Sequence, residues 1–276
     1  DSSEVILRDP NKCILCGRCV RVCAEITVQE VLDFAGRGTQ THIISGLDQQ
    51  LKETDCVSCG TCVQVCPTGA LTEKLALFKG RRWEFRKVRT ICPYCGVGCQ
   101  IELNIKDNKI IKIYGVSEGS ENRGHLCVKG RFGFDYVHHP DRLTTPLIKR
   151  RGRFEEADWD EALSMVAGEF KRLKDKYGSD ALGGLSSAKC TNEENYLFQK
   201  FIRVCFGTNN VDHCARLCHA STVAGLSYAF GSGAMTNSIQ EFEKSEVILI
   251  TGSNTTETHP VIGNYLKYLA KYKEVK

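Results

Sequence analysis

Four cysteines, Cys13, Cys16, Cys19 and Cys23, recur as Cys56, Cys59, Cys62 and Cys66, every member displaced by forty-three positions. Within each copy the intervening gaps are two, two and three residues. Such crowding suits a metal cluster better than a disulfide scaffold. A tetrahedral zinc site expects two well-separated cysteine pairs instead. This spacing is the one that wraps an iron–sulfur cubane, with the fourth cysteine of each run ligating the neighbouring cluster. On that rule Cys13, Cys16, Cys19 and Cys66 hold one cluster, and Cys56, Cys59, Cys62 and Cys23 hold the other. Pro67 follows Cys66 as the pattern expects, whereas Ala24 after Cys23 departs from it.

A third set follows: Cys92, Cys95, Cys99 and, after a longer gap, Cys127. Taken alone it could bind zinc, but beside two cubane runs a third cubane is the stronger reading. After Cys99 the alternation Ile101, Leu103, Ile105, then Asp107-Asn108, Ile111 and Ile113 predicts a hairpin. Lys129 stands two residues past Cys127. It is either a solvent-facing lysine or a charge held close to the cluster.

Sixteen cysteines in 276 residues are the compositional anomaly, since 42% hydrophobic and 25% charged residues are ordinary for a globular chain. The length allows two domains, or three with one small. No apolar run approaches a membrane span, and no export signal opens the chain, so a cytoplasmic protein is expected. The formal charge of +4 invites a nucleic-acid reading. Twelve cluster thiolates around three cores of assumed charge 2+ would bring it to about −2, and that reading falls. The basic stretch 80–90 (GRRWEFRKVRT) reads as a solvated connector, or as a contact for an acidic neighbour. It interleaves too few aromatics for nucleic acid.

Between the two runs, Val28, Val31, Leu32 and Phe34 suggest a short helix, and Ile43-Ile44 a strand; His42 reads as a surface or packing residue. From about residue 145 the pattern turns α/β. Asp158 and Glu161 open a helix along Leu163, Val166, Phe170 and Leu173, which Gly178 stops. Ala181–Leu185 reads as a strand. Residues 193–206 read as a helix with Tyr196, Phe198, Phe201, Ile202 and Cys205 in the core. EVILIT (246–251) reads as a buried parallel strand, with the polar loop GSNTTETHP at its carboxyl end, where open α/β sheets bind nucleotides. The stretch VDHCARLCHASTVAGL places Cys218 directly before His219. A soft thiolate suits a heavy metal, and the imidazole beside it can carry a proton near neutral pH. Such a pair is by itself more often structural than catalytic.

The paired cysteine repeat, CPYCGVGC with LCVKG, the Cys-His element and the strand-loop GSNTTETHP stand in one order. That order resembles the molybdenum/tungsten bis-pterin oxidoreductases and, within them, the formate dehydrogenases. SSAKCTNEENY, GTNNVDHCARLCHASTVAGL and SGAMTNS are similar to segments of their catalytic subunit. The resemblance implies a two-cluster ferredoxin-like domain over 1–79, a small β-rich [4Fe-4S] domain over 80–145, and the start of an α/β pterin-dinucleotide domain over 146–276. It implies three [4Fe-4S] clusters and Mo or W bound by two molybdopterin guanine dinucleotides. Cys218 would ligate the metal, in the position where some relatives carry selenocysteine. His219 would be the adjacent proton acceptor, and Lys129 would bridge the third cluster and the proximal pterin. Thr251, Gly252, Asn254, Glu257 and Thr258 would contact a guanosine end.

The implied reaction is oxidation of formate to CO2, or its reverse. Electrons would pass to iron–sulfur, flavin/NAD(P) or hydrogenase subunits. Periplasmic nitrate reductases, close cousins, typically follow the ligating cysteine with Met, so His219 favours formate. The rivals are a nitrate reductase-type enzyme and a molybdenum-free electron-transfer subunit like that of complex I. Family catalytic subunits run on past a point like Lys276, with a second pterin region and a substrate-binding arginine. No arginine follows Arg216 here. The chain therefore reads as the N-terminal part of a catalytic subunit, unable to turn over formate alone.

Overall fold

The forty-three-residue repeat is also a repeat of backbone shape. Leu15 and Ser58 have φ of 56° and 50°, and Gly17 and Gly60 have φ of 70° and 68°. Each glycine opens a short helix that carries the third cysteine of its run: α1 (Arg18–Arg21) and α2 (Thr61–Val65). Left-handed backbone at these positions bends the chain around the space between the sulfurs, which glycine allows at little steric cost.

The computed structural model describes residues 3–276. They form two compact units, residues 3–139 with 237–276, and residues 140–236. In the first unit, β1 (Ile6–Arg8), β2 (Leu32–Ala35), β3 (His42–Ser45) and β4 (Leu71–Glu73) make two antiparallel pairs, β1–β4 and β2–β3. Ile6, Leu32, Leu51, Leu71 and Phe132 fill the core beneath them, and Cys19, Cys23, Cys56, Cys62 and Cys66 pack against it.

The helix expected over Val28–Phe34 is instead the start of the β2–β3 hairpin. Val28 and Glu30 have φ of 50° and 53°, which breaks any helix, and residues 32–35 pair antiparallel with residues 42–45. His42 is exposed, as expected.

The second half of the stretch read as a basic connector is a strand. β5 (Arg86–Ile91) pairs antiparallel with β6 (Gln100–Lys106), which pairs with β7 (Lys109–Gly115). Its exposed Arg86, Lys87 and Arg89 lie on a sheet edge, where positive charge discourages further pairing. Asp107 and Asn108 close the β6–β7 hairpin with positive φ at both turn positions, as the sequence predicts. Val97, Ile101, Ile113, Leu126 and Phe134 bury the inner face around Cys92 and Cys99. Short helix α3 (Val128–Phe132) follows Cys127 and sends Phe132 into the core of the two cysteine runs.

Residues 237–276 return to this unit. Ile239, Val261 and Ile262 pack on the β5–β7 core. Arg123 pairs with Glu243 at 3.0 Å and donates to the Tyr265 hydroxyl at 3.2 Å. The EVILIT segment is not a buried strand: Val247, Leu249 and Ile250 are 68%, 86% and 50% exposed. Its backbone bonds Lys276, Ile248 N–H donating to the Lys276 carbonyl at 2.8 Å and Lys276 N–H donating to the Glu246 carbonyl at 3.0 Å. An apolar run becomes a buried strand only where neighbouring strands take both rows of its backbone groups, and none of the described strands lies beside it.

The second unit opens with the hairpin β8 (Leu147–Arg150) and β9 (Arg153–Glu156). The Asp158 side chain caps α4 (Trp159–Tyr177) by accepting the Glu161 N–H at 2.7 Å, and Gly178 ends it with φ of 86°. β10 (Gly184–Ser186) and β11 (Val211–His213) form a parallel pair. α5 (Asn192–Phe201) crosses between them, closed at its start by reciprocal bonds of Thr191 and Glu194. Phe198 and Ile202 face β10 and the small core of Leu182 and Phe206. Tyr196, Phe201 and Cys205, expected in that core, are exposed, because they lie on other faces of the turn.

Gly60 tests the first unit. A Cβ there would sit 2.2 Å from Cδ of Arg131, while a Cβ on Gly38, also at positive φ, meets nothing within 4 Å. Gly38→Ala should therefore cost about 1–2 kcal/mol of backbone strain. Gly60→Ala should cost about 1–3 kcal/mol more from the clash, as read from chemical denaturation of the metal-loaded protein.

Candidate functional site

Three cavities of the first unit are each lined by one cysteine quartet. Cys13, Cys16 and Cys19 share theirs with Cys66. Cys56, Cys59 and Cys62 share theirs with Cys23. Cys92, Cys95, Cys99 and Cys127 line the third. The fourth cysteine of each repeat thus faces the other run's cavity.

The second and third cavities are narrow, with volumes of about 20 and 10 Å³. Among the described residues, no group of three or more His, Cys, Asp or Glu side chains closes on a single-ion position. Four soft sulfur donors gathered on each cavity fit an iron–sulfur core, which such a quartet would hold through its four sulfurs.

The electrostatics agree. Burial, then the neighbouring thiols Cys13, Cys16 and Cys66, pushes Cys19 up to about 11. Burial, then Cys92, Cys95 and Cys127, pushes Cys99 up to about 12. Cys62 is raised well above the ordinary thiol value, by burial and then by Cys59, Cys56, Cys23 and Cys19. Cys19 belongs to the first quartet, so the first two cavities adjoin. Cys66 is the exception. Its partial burial is outweighed by the backbone N–H groups of Leu71, Thr68 and Gly69, and its thiol is lowered. The first quartet is also the most open, with Cys16 and its neighbours Ile14 and Leu15 exposed.

The third quartet is built by the sheet and α3. The Cys92 N–H donates to the Cys99 carbonyl at 2.8 Å, closing the loop that carries Cys95. Cys127 stands at the start of α3, which places Lys129 in its first turn with an exposed side chain. Two buried charges near the quartets escape sequence reasoning. Arg131, one helical turn after Cys127, is fully buried and donates from Nε to the Cys59 carbonyl at 2.7 Å. Glu73 is 2% exposed, and burial, opposed by Arg131 and Lys112, raises its carboxyl to about 7. A basic or acidic letter in a sequence reads as surface. The available signal was Arg131's position, four residues past a ligand on a helix that begins there.

In the second unit Cys218 ends α6 (Ala215–Cys218), and His219 joins it to α7 (Ala220–Phe230). Both side chains are exposed. They follow the carboxyl end of β11, where the Cys214 sulfur accepts the Ala188 N–H from the loop after β10 at 3.3 Å. The carboxyl edge of a parallel pair is where α/β folds gather ligand groups. Thr251, Gly252, Asn254, Glu257 and Thr258 lie exposed in the first unit on a loop tied by its own bonds. Asn254 donates to Glu257 at 3.0 Å, and the Thr258 hydroxyl donates to the Asn254 carbonyl at 3.0 Å.

Fold and cavities define an iron–sulfur protein. Residues 142–276 match the profile of the molybdopterin oxidoreductases, residues 85–139 that of the molybdopterin oxidoreductase Fe4S4 domain, and residues 3–72 the ferredoxin-like domain of NADH-quinone oxidoreductase subunit 3. The chain belongs to the molybdopterin oxidoreductase family. Its order of ferredoxin-like region, Fe4S4 region and α/β region is the one expected from the sequence.

YjgC of Bacillus subtilis (strain 168), provisionally named an oxidoreductase, is 38% identical over 315 residues, covering 100% of this chain and 32% of that protein. A Staphylococcus aureus (strain N315) protein, provisionally named formate dehydrogenase, is 38% identical over 301 residues, covering 95% and 31%. The chain thus spans about a third of the length of these curated relatives. Acetylene hydratase from Pelobacter acetylenicus shares the fold, with a TM-score of 0.55 at 23% identity over 69% of this chain and 26% of that one.

The crossed quartets can be tested by one ligand at a time. Cys66→Ser should disturb the cluster of Cys13, Cys16 and Cys19, while Cys62→Ser should disturb the other. The two variants should change different features of the reduced protein's EPR spectrum, and identical changes would contradict the crossing.

Proposed function

We propose that this chain carries the metal-ligating and electron-transfer part of a formate dehydrogenase or CO2 reductase. The observation that carries the proposal is the gathering of twelve cysteines into three cavities while Cys218, outside all three, stays exposed beside His219. On this reading there are three [4Fe-4S] clusters, in regions 1–79 and 80–145, and residues 146–276 serve the pterin. The provisional name of the S. aureus relatives and His219 favour formate as substrate.

Oxidation of formate to CO2 releases two electrons and one proton. A bound Mo or W bis-pterin would supply the two-electron acceptor. Cys218 would hold the metal through its thiolate, and an exposed position lets a large cofactor reach it. His219, with a free imidazole one residue away, would receive the proton. Lys129, in the first turn after Cys127, would place positive charge between the third cluster and the pterin. Thr251, Gly252, Asn254, Glu257 and Thr258 would offer hydroxyl, amide and carboxylate groups to a guanosine end.

Electrons would leave through the first quartet, the most open of the three, to an iron–sulfur, flavin/NAD(P) or hydrogenase subunit. No helix among the described residues is long and apolar enough to cross a membrane. Sixteen cysteines would suit a reducing cytoplasm.

The match of residues 3–72 to a subunit of NADH-quinone oxidoreductase favours one second reading, an electron-transfer subunit without molybdenum. Metal analysis separates the two. The holoprotein should hold about twelve irons per chain, with Mo or W beside them. In the complete enzyme, Cys218→Ala should abolish formate oxidation with all clusters still reducible. His219→Met should lower turnover by about 10²–10⁴-fold, since a thioether accepts no proton. Iron without Mo or W would decide for the second reading, and normal turnover in either variant would remove Cys218 and His219 from the site.

A further inference from the structure

Arg131 has the largest side chain among those fully shielded from solvent, with 0% exposure. A charged side chain is almost never buried unless something holds it there. Here the backbone does. Nε donates to the Cys59 carbonyl at 2.7 Å, and Nη1 points to the Ile113 carbonyl at 3.4 Å. Nη2 meets no hydrogen-bond partner, and neither do the two carboxylate oxygens of buried Glu73. The two side chains interact through their charges, yet no ion pair closes between them, so the guanidinium is not neutralised by contact. The thiols of Cys59 and Cys62, and more weakly the Tyr114 phenol, also act on it. Gly60 makes the room: any Cβ there would overlap Arg131, so the second run is shaped to admit this side chain.

The same residue joins two quartets. Its backbone N–H donates to the carbonyl of Cys127, a member of the third quartet, at 3.1 Å, and its side chain ends on Cys59 of the second. We propose that Arg131 is a positioning residue of the electron path, which couples the third cluster to the second and raises the reduction potential of the second by holding a buried positive charge at Cys59. The proposal rests on the iron–sulfur reading of the quartets. A cubane with four thiolates is already anionic, and an added electron makes it more so. A cation in a low-dielectric interior therefore favours the reduced form. The link is one helical turn plus one hydrogen bond long.

The test is an EPR-monitored redox titration of the holoprotein at pH 8, with Cys56→Ser marking which signal belongs to the second cluster. Arg131→Gln removes the charge and Arg131→Lys keeps it. The expected result is a shift of that one midpoint to more negative potential in Arg131→Gln, a smaller shift in Arg131→Lys, and the other two midpoints unchanged. Glu73→Gln removes the opposing charge and should move the same midpoint to more positive potential. Equal shifts in Arg131→Gln and Arg131→Lys, or no shift with clusters fully assembled, would overturn the role. Should Arg131→Gln fail to assemble, an unmoved midpoint in Glu73→Gln overturns it instead. Absence of iron from the wild-type protein would fail the iron–sulfur reading itself, which is a separate result.

Discussion

Four thiols brought together in a buried cavity resist becoming thiolates. Burial withdraws the solvation of each negative charge, and its neighbours repel it, as the raised values at Cys19 and Cys99 show. The first unit is arranged around this conflict. Left-handed turns hold the sulfurs apart around a space, short helices present them to it, and the apolar core behind them keeps water away. A positively charged iron–sulfur core would resolve the repulsion, and metal binding would then be coupled to folding of this region.

The parts that were legible in the sequence are those in which one local pattern dictates geometry. The displaced cysteine runs fix which sulfurs must face one another, and the structure gathers the same quartets that the crossed pattern assigns. Asp107-Asn108 and Asp158 specify a turn and a helix start through their own backbone and side-chain chemistry. The misread parts depend on partners that no local pattern contains. Val28–Phe34 has apolar residues compatible with two periods, and only positive φ at Val28 and Glu30 decides for a strand. EVILIT has the composition of a buried strand, without neighbours among the described strands to bury it. Arg131 was invisible for the same reason, since its burial is created by Cys59, Ile113 and Gly60, all far away in sequence.

The Cys218–His219 corner illustrates the opposite case. Its residue pair is chemically suggestive but locally unremarkable, and the structure leaves both side chains exposed at the carboxyl edge of a parallel pair. Nothing in the geometry of the pair itself demands a metal. Its functional reading draws its force from the three quartets of the same chain, which give a two-electron reaction somewhere to send its electrons one at a time.

The exchange of fourth ligands between the two runs has a mechanical consequence. On the proposed reading, a cluster bound by Cys13, Cys16, Cys19 and Cys66, beside one bound by Cys56, Cys59, Cys62 and Cys23, would stitch the two halves of the region together twice. Each cluster then acts as a multi-point cross-link that closes a long loop and restricts the unfolded chain, much as a disulfide does. Neither half can complete a site without the other. Losing one cluster frees a ligand from the partner's half and removes one of the two stitches, so damage at the solvent-facing cavity is transmitted inward. An oxidant that attacks the open first site would loosen the shielded second one without ever touching it.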